Sequence, residues 1–336
     1  VTTILLLLLA VVGIGIVCGQ LLVRAPWAPS APRLTVASWH LLGLGSLASV
    51  LLAGLASVLL VAPPALVAVL GGFLAHCAVV LRSEATGPHG VVLGVAGMLL
   101  ALVVTARLLG SLVRESWRAR RERHEQLDRL ALVGRRLPSR HRDNRILLDD
   151  ARPAAYCLPG GLIGRGTIVV SSGTLALLDE DQVRLVLAHE SAHLHQRHHL
   201  AIQLSVALAH AFGRTRSFRR AEQQVPPLLE MAADDGAVRV ERPATATNDR
   251  AAVRRRLAHA LVTLAGAQAT PSGALGAGGS AVARVRRLSG PRVRLRLPQT
   301  MLLVAGAGLA LAELISVVMA PAVCAAAMPV CVAGLG

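Results

Sequence analysis

The sequence contains no lysine, so all 35 of its Lys+Arg positions are arginine. It is also nearly without aromatic rings, which make up 2% of the chain against 54% hydrophobic residues in all. A net charge of +16 could suggest nucleic acid as a partner. Single-stranded nucleic acid, however, is held by basic surfaces interleaved with stacking aromatics, and none is visible, so direct nucleic-acid binding is not expected. The five cysteines, Cys18, Cys77, Cys157, Cys324 and Cys331, lack the close paired spacing of a structural zinc site and read as small apolar residues. Acidic residues are scarce, 19 in 336. Asp, Glu and Arg are all missing from 3–23 and 34–81, and Glu84 and Glu313 alone interrupt 83–106 and 297–336.

Each of these stretches can hold a helix of about 20 residues, the length a bilayer core requires. Spans are expected at about 4–22, 37–61, 91–113 and 301–320. The first has no basic leader and no small-residue cleavage site, and so reads as a retained helix rather than a removed signal peptide. Segment 65–81 is bounded by Pro63-Pro64 and carries His76. Were it to span, Arg24 and Arg33 would fall on the opposite side from Arg114, Arg118, Arg120, Arg121 and Arg123, against the positive-inside bias. It is therefore expected as a re-entrant or amphipathic helix on the extracytoplasmic side. Arg292, Arg294 and Arg296 precede the last span, so the polar region between these arginine clusters should face the cytoplasm and the anionic headgroups of the bilayer. Glu313, inside a span, calls for a polar neighbour such as His40. Cys324 and Cys331 fall outside, where a disulfide is chemically possible. The fold class expected is a mainly α integral cell-membrane protein, with a membrane region at 1–113, a cytoplasmic domain at 114–297 and a C-terminal span and tail at 298–336.

Within the polar region, Arg114–Arg129 has helix-forming composition and should extend the third span into solvent. Arg135–Arg145 reads as a loop, and Arg145–Leu148 and Thr167–Ser171 as short strands. The second strand could accept an extended substrate along its edge, or serve simply as a core strand. Asp179 followed by Gln182 is a capping-box signal. The helix it opens carries Val183, Val186 and Leu187 on one side and is expected to continue through Leu200 to Phe212. A basic turn at Arg214–Arg220 follows. Pro226-Pro227 should then start a helix running toward Val240, since a first-turn proline is tolerated. Arg250–Ala265 reads as a basic amphipathic helix, and the Gly-, Ala- and Ser-rich stretch Ala269–Ala283 as a flexible linker.

The chemistry is concentrated in His189-Glu190-Ser191-Ala192-His193. Two histidines four apart on a helix project from one face and can grip one ion, while Glu190, rotated by about 100°, flanks it. Zinc peptidases need this combination of two neutral imidazoles, an open metal position and a carboxylate to take a proton. The competing reading is a solvated helix face, because His195, His198 and His199 make histidine locally abundant. Two residues compete as third ligand. His199 sits where a third histidine of an HExxHxxGxxH pattern would stand, but Gln196 replaces the glycine that lets the chain turn back, and on an unbroken helix His199 would point away. Glu230, 37 residues after His193, opens Glu230-Met231-Ala232-Ala233-Asp234. That places two carboxylates on one helical face, with Ala232, Ala233 and Ala237 small enough for close helix approach. Glu230 is then the expected ligand and Asp234 the group that orients a ligand imidazole.

These residues, with Tyr156-Cys157-Leu158-Pro159-Gly160 and the segment Thr167–Thr174 upstream, resemble the BlaR/MecR family of membrane zinc metallopeptidases, and more distantly the HtpX-type membrane peptidases. The resemblance implies a gluzincin-like domain with Zn2+ held by His189, His193 and Glu230, and Glu190 as catalytic base. It also implies a cytoplasmic protein substrate, typically a transcriptional repressor of the BlaI type. The β-lactam sensors of that family carry a penicillin-binding domain after the last span, where this sequence has 16 residues beyond Ala320. Antibiotic sensing by that route is not expected. The sequence thus points to a membrane-bound zinc endopeptidase of a signalling pathway, with HtpX-like quality control or a metal-binding but inactive scaffold as alternatives.

Overall fold

A computed structural model of the chain describes residues 19–25, 27–61, 63, 88–137, 144–161, 164, 166–241, 250–267 and 275–291. The expectations for 4–18, 65–81, 301–320, Glu313, Cys324 and Cys331 lie outside these residues. The described chain is mostly helical with one small sheet.

Among the described residues, two helices are long and apolar enough to cross a membrane. The first, α1 (Pro32–Val61), contains the expected span 37–61. The second, α2 (Pro88–Val133), joins the span 91–113 and the arginine-rich extension into one helix of 46 residues. It has no proline after its first residue, and its solvated half is supported by an i,i+4 pair, Arg121 to Glu125 at 2.9 Å. The helices run antiparallel and touch through small residues. A Cβ on Gly54 would meet Ala101, and one on Gly97 would meet Ser57. Along 91–113, α2 turns Val91, Val92, Leu99, Leu100, Leu102 and Val103 outward, an apolar surface of the kind lipid covers.

The sheet comprises β1 (Gly134–Leu137), β2 (Asn144–Leu148), β3 (Ala155–Leu158) and β4 (Thr167–Ser171), in the order β1-β2-β4-β3. Only β2 and β4 pair in parallel. Three expectations change here. Part of the loop expected at Arg135–Arg145 is strand β1. Strand β3 was not anticipated. And β4 is flanked on both sides, so its backbone is already paired and cannot take an extended substrate; the open edge nearest the site helix belongs to β3.

Five further helices, beyond the short α3 (Ser172–Leu177), complete the described region: α4 (Glu180–His195), α5 (His198–Phe212), α6 (Arg216–Val240), α7 (Arg250–Ala267) and α8 (Leu275–Ser289). The capping box forms as expected, with Asp179 Oδ1 accepting from Gln182 N at 2.8 Å and Gln182 Oε1 from Asp179 N at 3.1 Å. The expected continuation into α5 does not occur. The chain breaks at Gln196-Arg197, where Arg197 adopts a left-handed φ of 52°. Helix α6 begins at Arg216 rather than at the prolines, which sit inside it. Each proline removes a backbone hydrogen bond. The helix is carried through them by burial of Ala221, Val225, Leu228 and Leu229 against Val36 and Trp39 of α1. Of the expected linker Ala269–Ala283, the described part, 275–283, belongs to helix α8, because Leu288 and Val285 pack onto Leu185, Ala237 and Leu257. The turn before α1 lies on this same side of the molecule, its Pro29 carbonyl accepting from Arg287 Nε at 2.6 Å.

Candidate active site

Helices α4 and α6 cross at van der Waals distance. Ala232, Ala233 and Ala237 are fully buried, and a Cβ on Gly236 would stand 2.7 Å from Ala192 Cβ. This closeness lets short side chains from both helices converge. His189 Nε2 and His193 Nε2 are 3.2 Å apart. Glu230 closes a triangle, with Oε2 3.4 Å from His189 Nε2 and Oε1 3.4 Å from His193 Nε2. Ligands placed tetrahedrally about 2.0–2.1 Å from an ion stand roughly 3.3 Å from one another, so these three residues could hold a small divalent metal. His199 is not part of this group. It lines a separate cleft with Arg123, Pro159 and Gly161, its Nε2 buried without a hydrogen-bond partner.

Each histidine is oriented through its other nitrogen. His189 Nδ1 donates to Asp234 Oδ1 at 3.0 Å. Asp234 is fully buried, and such a charge requires pairing. Arg284 of α8 supplies it, donating from Nε to Oδ2 at 2.9 Å and from Nη2 to Oδ1 at 2.7 Å. Its third nitrogen, Nη1, reaches Glu230 Oε2 at 2.9 Å. His193 Nδ1 lies 3.1 Å from His198 Nδ1, whose Nε2 is 3.1 Å from Gln196 Oε1. Only one proton arrangement satisfies this chain while leaving His193 Nε2 bare. His193 Nδ1–H donates to His198 Nδ1, and His198 Nε2–H donates to the amide oxygen. The break at Arg197 is what permits it, because it turns His198 back over His193.

The electrostatics favour a cation. Burial disfavours a charged His189, but hydrogen bonds to Asp234 and Glu230 outweigh that and raise its pKa to about 9. Burial, then the charge on His189, lowers His193 to about 4. His198 is held at about 4 by burial and then by the charge on His193. Burial opposes ionisation of Glu230, yet His189 and Arg284 keep it down at about 2. Asp234 is likewise near 2, burial being overcome by Arg284 and His189. Glu190 moves the other way, raised chiefly by burial. Burial also pushes the Cys157 thiol up, so Cys157 of β3 stays protonated and hydrogen-bonds to the Glu190 carboxylate.

The structure thus brings His189, Glu190, His193, Glu230 and Asp234 together. Sequence reasoning missed Arg284, His198 and Cys157. The apolar spacing of Val285 and Leu288 could have revealed the helix carrying Arg284. Nothing in the sequence marks Arg197 as a break that would recruit His198. His40, a candidate partner of Glu313 by sequence, places Nε2 3.0 Å from Ser205 Oγ, and Glu313 lies outside the described residues. Among known families, residues 118–268 match the model of Peptidase family M48. No curated protein and no solved structure matches the chain.

Proposed function

We propose, from the match of residues 118–268 to Peptidase family M48, that the chain is a metal-dependent peptidase, and we propose a narrower reading within that. The chain is an integral-membrane zinc endopeptidase that hydrolyses peptide bonds of a protein substrate at the cytoplasmic face. The observation that carries it is the triangle of two imidazole nitrogens and one carboxylate with edges of 3.2–3.4 Å. In this reading His189, His193 and Glu230 hold zinc, and Asp234 and His198 fix the two imidazoles in the tautomers that leave Nε2 free. When bound, the ion supplies Lewis acidity, polarising a carbonyl and making water a nucleophile near neutral pH.

Glu190 is the general base and then the general acid. It takes a proton from the attacking water and passes it to the departing amine, a task suited to a carboxylate whose pKa burial has raised. Cys157 holds its side chain in place. Substrate aligns along β3. Ser171 N donates to Ala154 O, which by antiparallel alternation leaves the backbone groups of Ala155 and Cys157 facing the open edge. A strand added there runs past the base.

The resemblance to the BlaR/MecR family favours a repressor of the BlaI type as substrate, within a signalling pathway at the cell membrane. A second reading, HtpX-like quality control of membrane proteins, is favoured by how closely the site adjoins an apolar helix. Leu228 and Leu229, immediately before Glu230, pack on Val36 and Trp39 of α1. Co-expressing the chain, or its Glu190→Gln variant, with a candidate repressor and with a misfolded membrane protein tests both. Cleavage of the repressor by the unaltered chain alone supports the first reading, and clearance of the membrane protein alone supports the second. Identical behaviour of the Gln variant would mean that hydrolysis does not occur at this site.

A further inference from the structure

Helices α5 and α6 form a hairpin. It leaves the metal site at His198, turns at Gly213–Thr215 and returns to the site at Glu230. Its tip is wedged between the two apolar helices. The Phe218 ring lies 3.2 Å from where a Cβ on Gly43 of α1 would stand. On the other side, Arg107 Nε of α2 donates to Ala211 O at 2.9 Å and Ser111 Oγ to Ala207 O at 2.8 Å. Arg107 interrupts the outward-facing apolar run that begins at Val91 and resumes at Leu109 and Val113, so the hairpin tip lies within the basic end of the expected span 91–113, where long arginine side chains extend toward the headgroups.

Two features meet at that level. The tip carries Arg214, Arg216 and Arg219, all exposed, and none pairs with a carboxylate among the described residues. Beside them a partly open cavity of about 190 Å³ is lined mainly by Trp39, Leu47, Val50, Val104, Leu208 and Phe212. It is larger than the roughly 150 Å³ of an apolar cavity that admits benzene, and a cavity so lined gives water few partners. An alkyl chain satisfies the cavity and an anionic headgroup satisfies the arginines.

We propose that the tip of this hairpin is a binding site for an anionic phospholipid, whose phosphate is held by Arg214, Arg216 and Arg219 while one acyl chain enters the cavity between α1, α2, α5 and α6. The site rests on α1 and α2 being membrane helices, but not on the identity of the peptidase substrate. Because α6 runs from these arginines to Glu230 and Asp234, occupancy also braces the helix that supplies half of the metal site.

The full-length chain in nanodiscs of phosphatidylglycerol and phosphatidylcholine in equal amounts, released into native mass spectrometry, tests it. The expected result is retention of phosphatidylglycerol over phosphatidylcholine by about tenfold or more. R214Q/R216Q/R219Q should abolish that preference. The lysine triple variant, R214K/R216K/R219K, should keep most of it. V104F, which fills the cavity and leaves the arginines intact, should cut phosphatidylglycerol retention. Equal retention of the two lipids by the unaltered chain, or undiminished preference in both the glutamine variant and V104F, overturns the site. Recovery of the unaltered chain as a monodisperse protein in aqueous buffer without detergent overturns the membrane premise itself, so the two failures are distinguishable.

Discussion

Metal binding at this site should be coupled to the loss of one proton, and the coupling can be worked from the geometry. In the metal-free protein His189 carries protons on both nitrogens, held at Nδ1 by Asp234 and at Nε2 by Glu230, and its pKa stands at about 9. The metal takes the place of the Nε2 proton. Glu230 and Asp234, both near 2, and His193 and His198, both near 4, have no proton left to release above about pH 5. At pH 7 the proton on His189 therefore weakens apparent zinc affinity by about two powers of ten, or roughly 2.7 kcal/mol, relative to the fully deprotonated site. Isothermal titration calorimetry in buffers of different ionisation enthalpy should show close to one proton released per zinc at pH 7. Apparent affinity should rise about tenfold per pH unit between pH 6 and 8. Asp234→Asn removes the negative charge that holds the cation, and proton release at pH 7 should fall well below one. The sign for stability is also fixed. His189 is raised above its ordinary value, so its contribution to the metal-free fold is present below about pH 6.5 and is lost as pH rises through about 9. A pH-independent affinity with no proton release would refute a doubly protonated His189 that gives up a proton to the metal.

Other expectations follow from the same arrangement. Glu190→Gln should leave zinc content unchanged in metal analysis while lowering kcat by at least about 100-fold. His198→Ala breaks the chain that fixes the His193 tautomer, and zinc affinity should fall about 10- to 100-fold by competition with a chelator, with secondary structure intact by circular dichroism. Gly236→Ala places a methyl group 2.7 Å from Ala192 Cβ, forcing α4 and α6 apart. A loss of roughly 1–3 kcal/mol in denaturant unfolding should accompany weaker zinc binding. Ala155→Pro deletes an outward N–H of β3 without touching the β4 ladder and should raise KM with little change in kcat. An unaltered KM would argue against strand addition at this edge.

The parts of this fold that could be read from the sequence are those built by local chemistry. Asp179 and Gln182 fix the start of α4 between them, and the i,i+4 spacing of His189 and His193 needs only the helix to become a site. The parts that escaped reading depend on distant partners. Strand β1 is Gly134-Arg135-Arg136-Leu137, whose charged centre shows no alternation, and it is a strand because β2 offers it an edge. Helix α8 has a composition that disfavours helix, and tertiary contacts override it: Val285 and Leu288 are packed, Arg284 is locked to Asp234, and Arg287 Nη2 reaches Asp235 Oδ2 at 2.7 Å. The long α6 misled in the opposite direction. Pro226-Pro227 is a strong start signal locally, yet burial of the preceding turn against Trp39 extends the helix backward through it.

Arg284 gives the site an order of completion. A ribosome makes Cys157, the His189–His193 helix and Asp234 well before it reaches position 284, 50 residues beyond Asp234. At about 5–20 residues per second that interval lasts several seconds. Until it ends, Asp234 has His189 to join on burial but not the guanidinium that takes both of its oxygens, so α6 settles against α4 with less of its buried charge compensated. The site is thus expected to reach its full set of contacts only after the last helix before the C-terminal apolar stretch has been made.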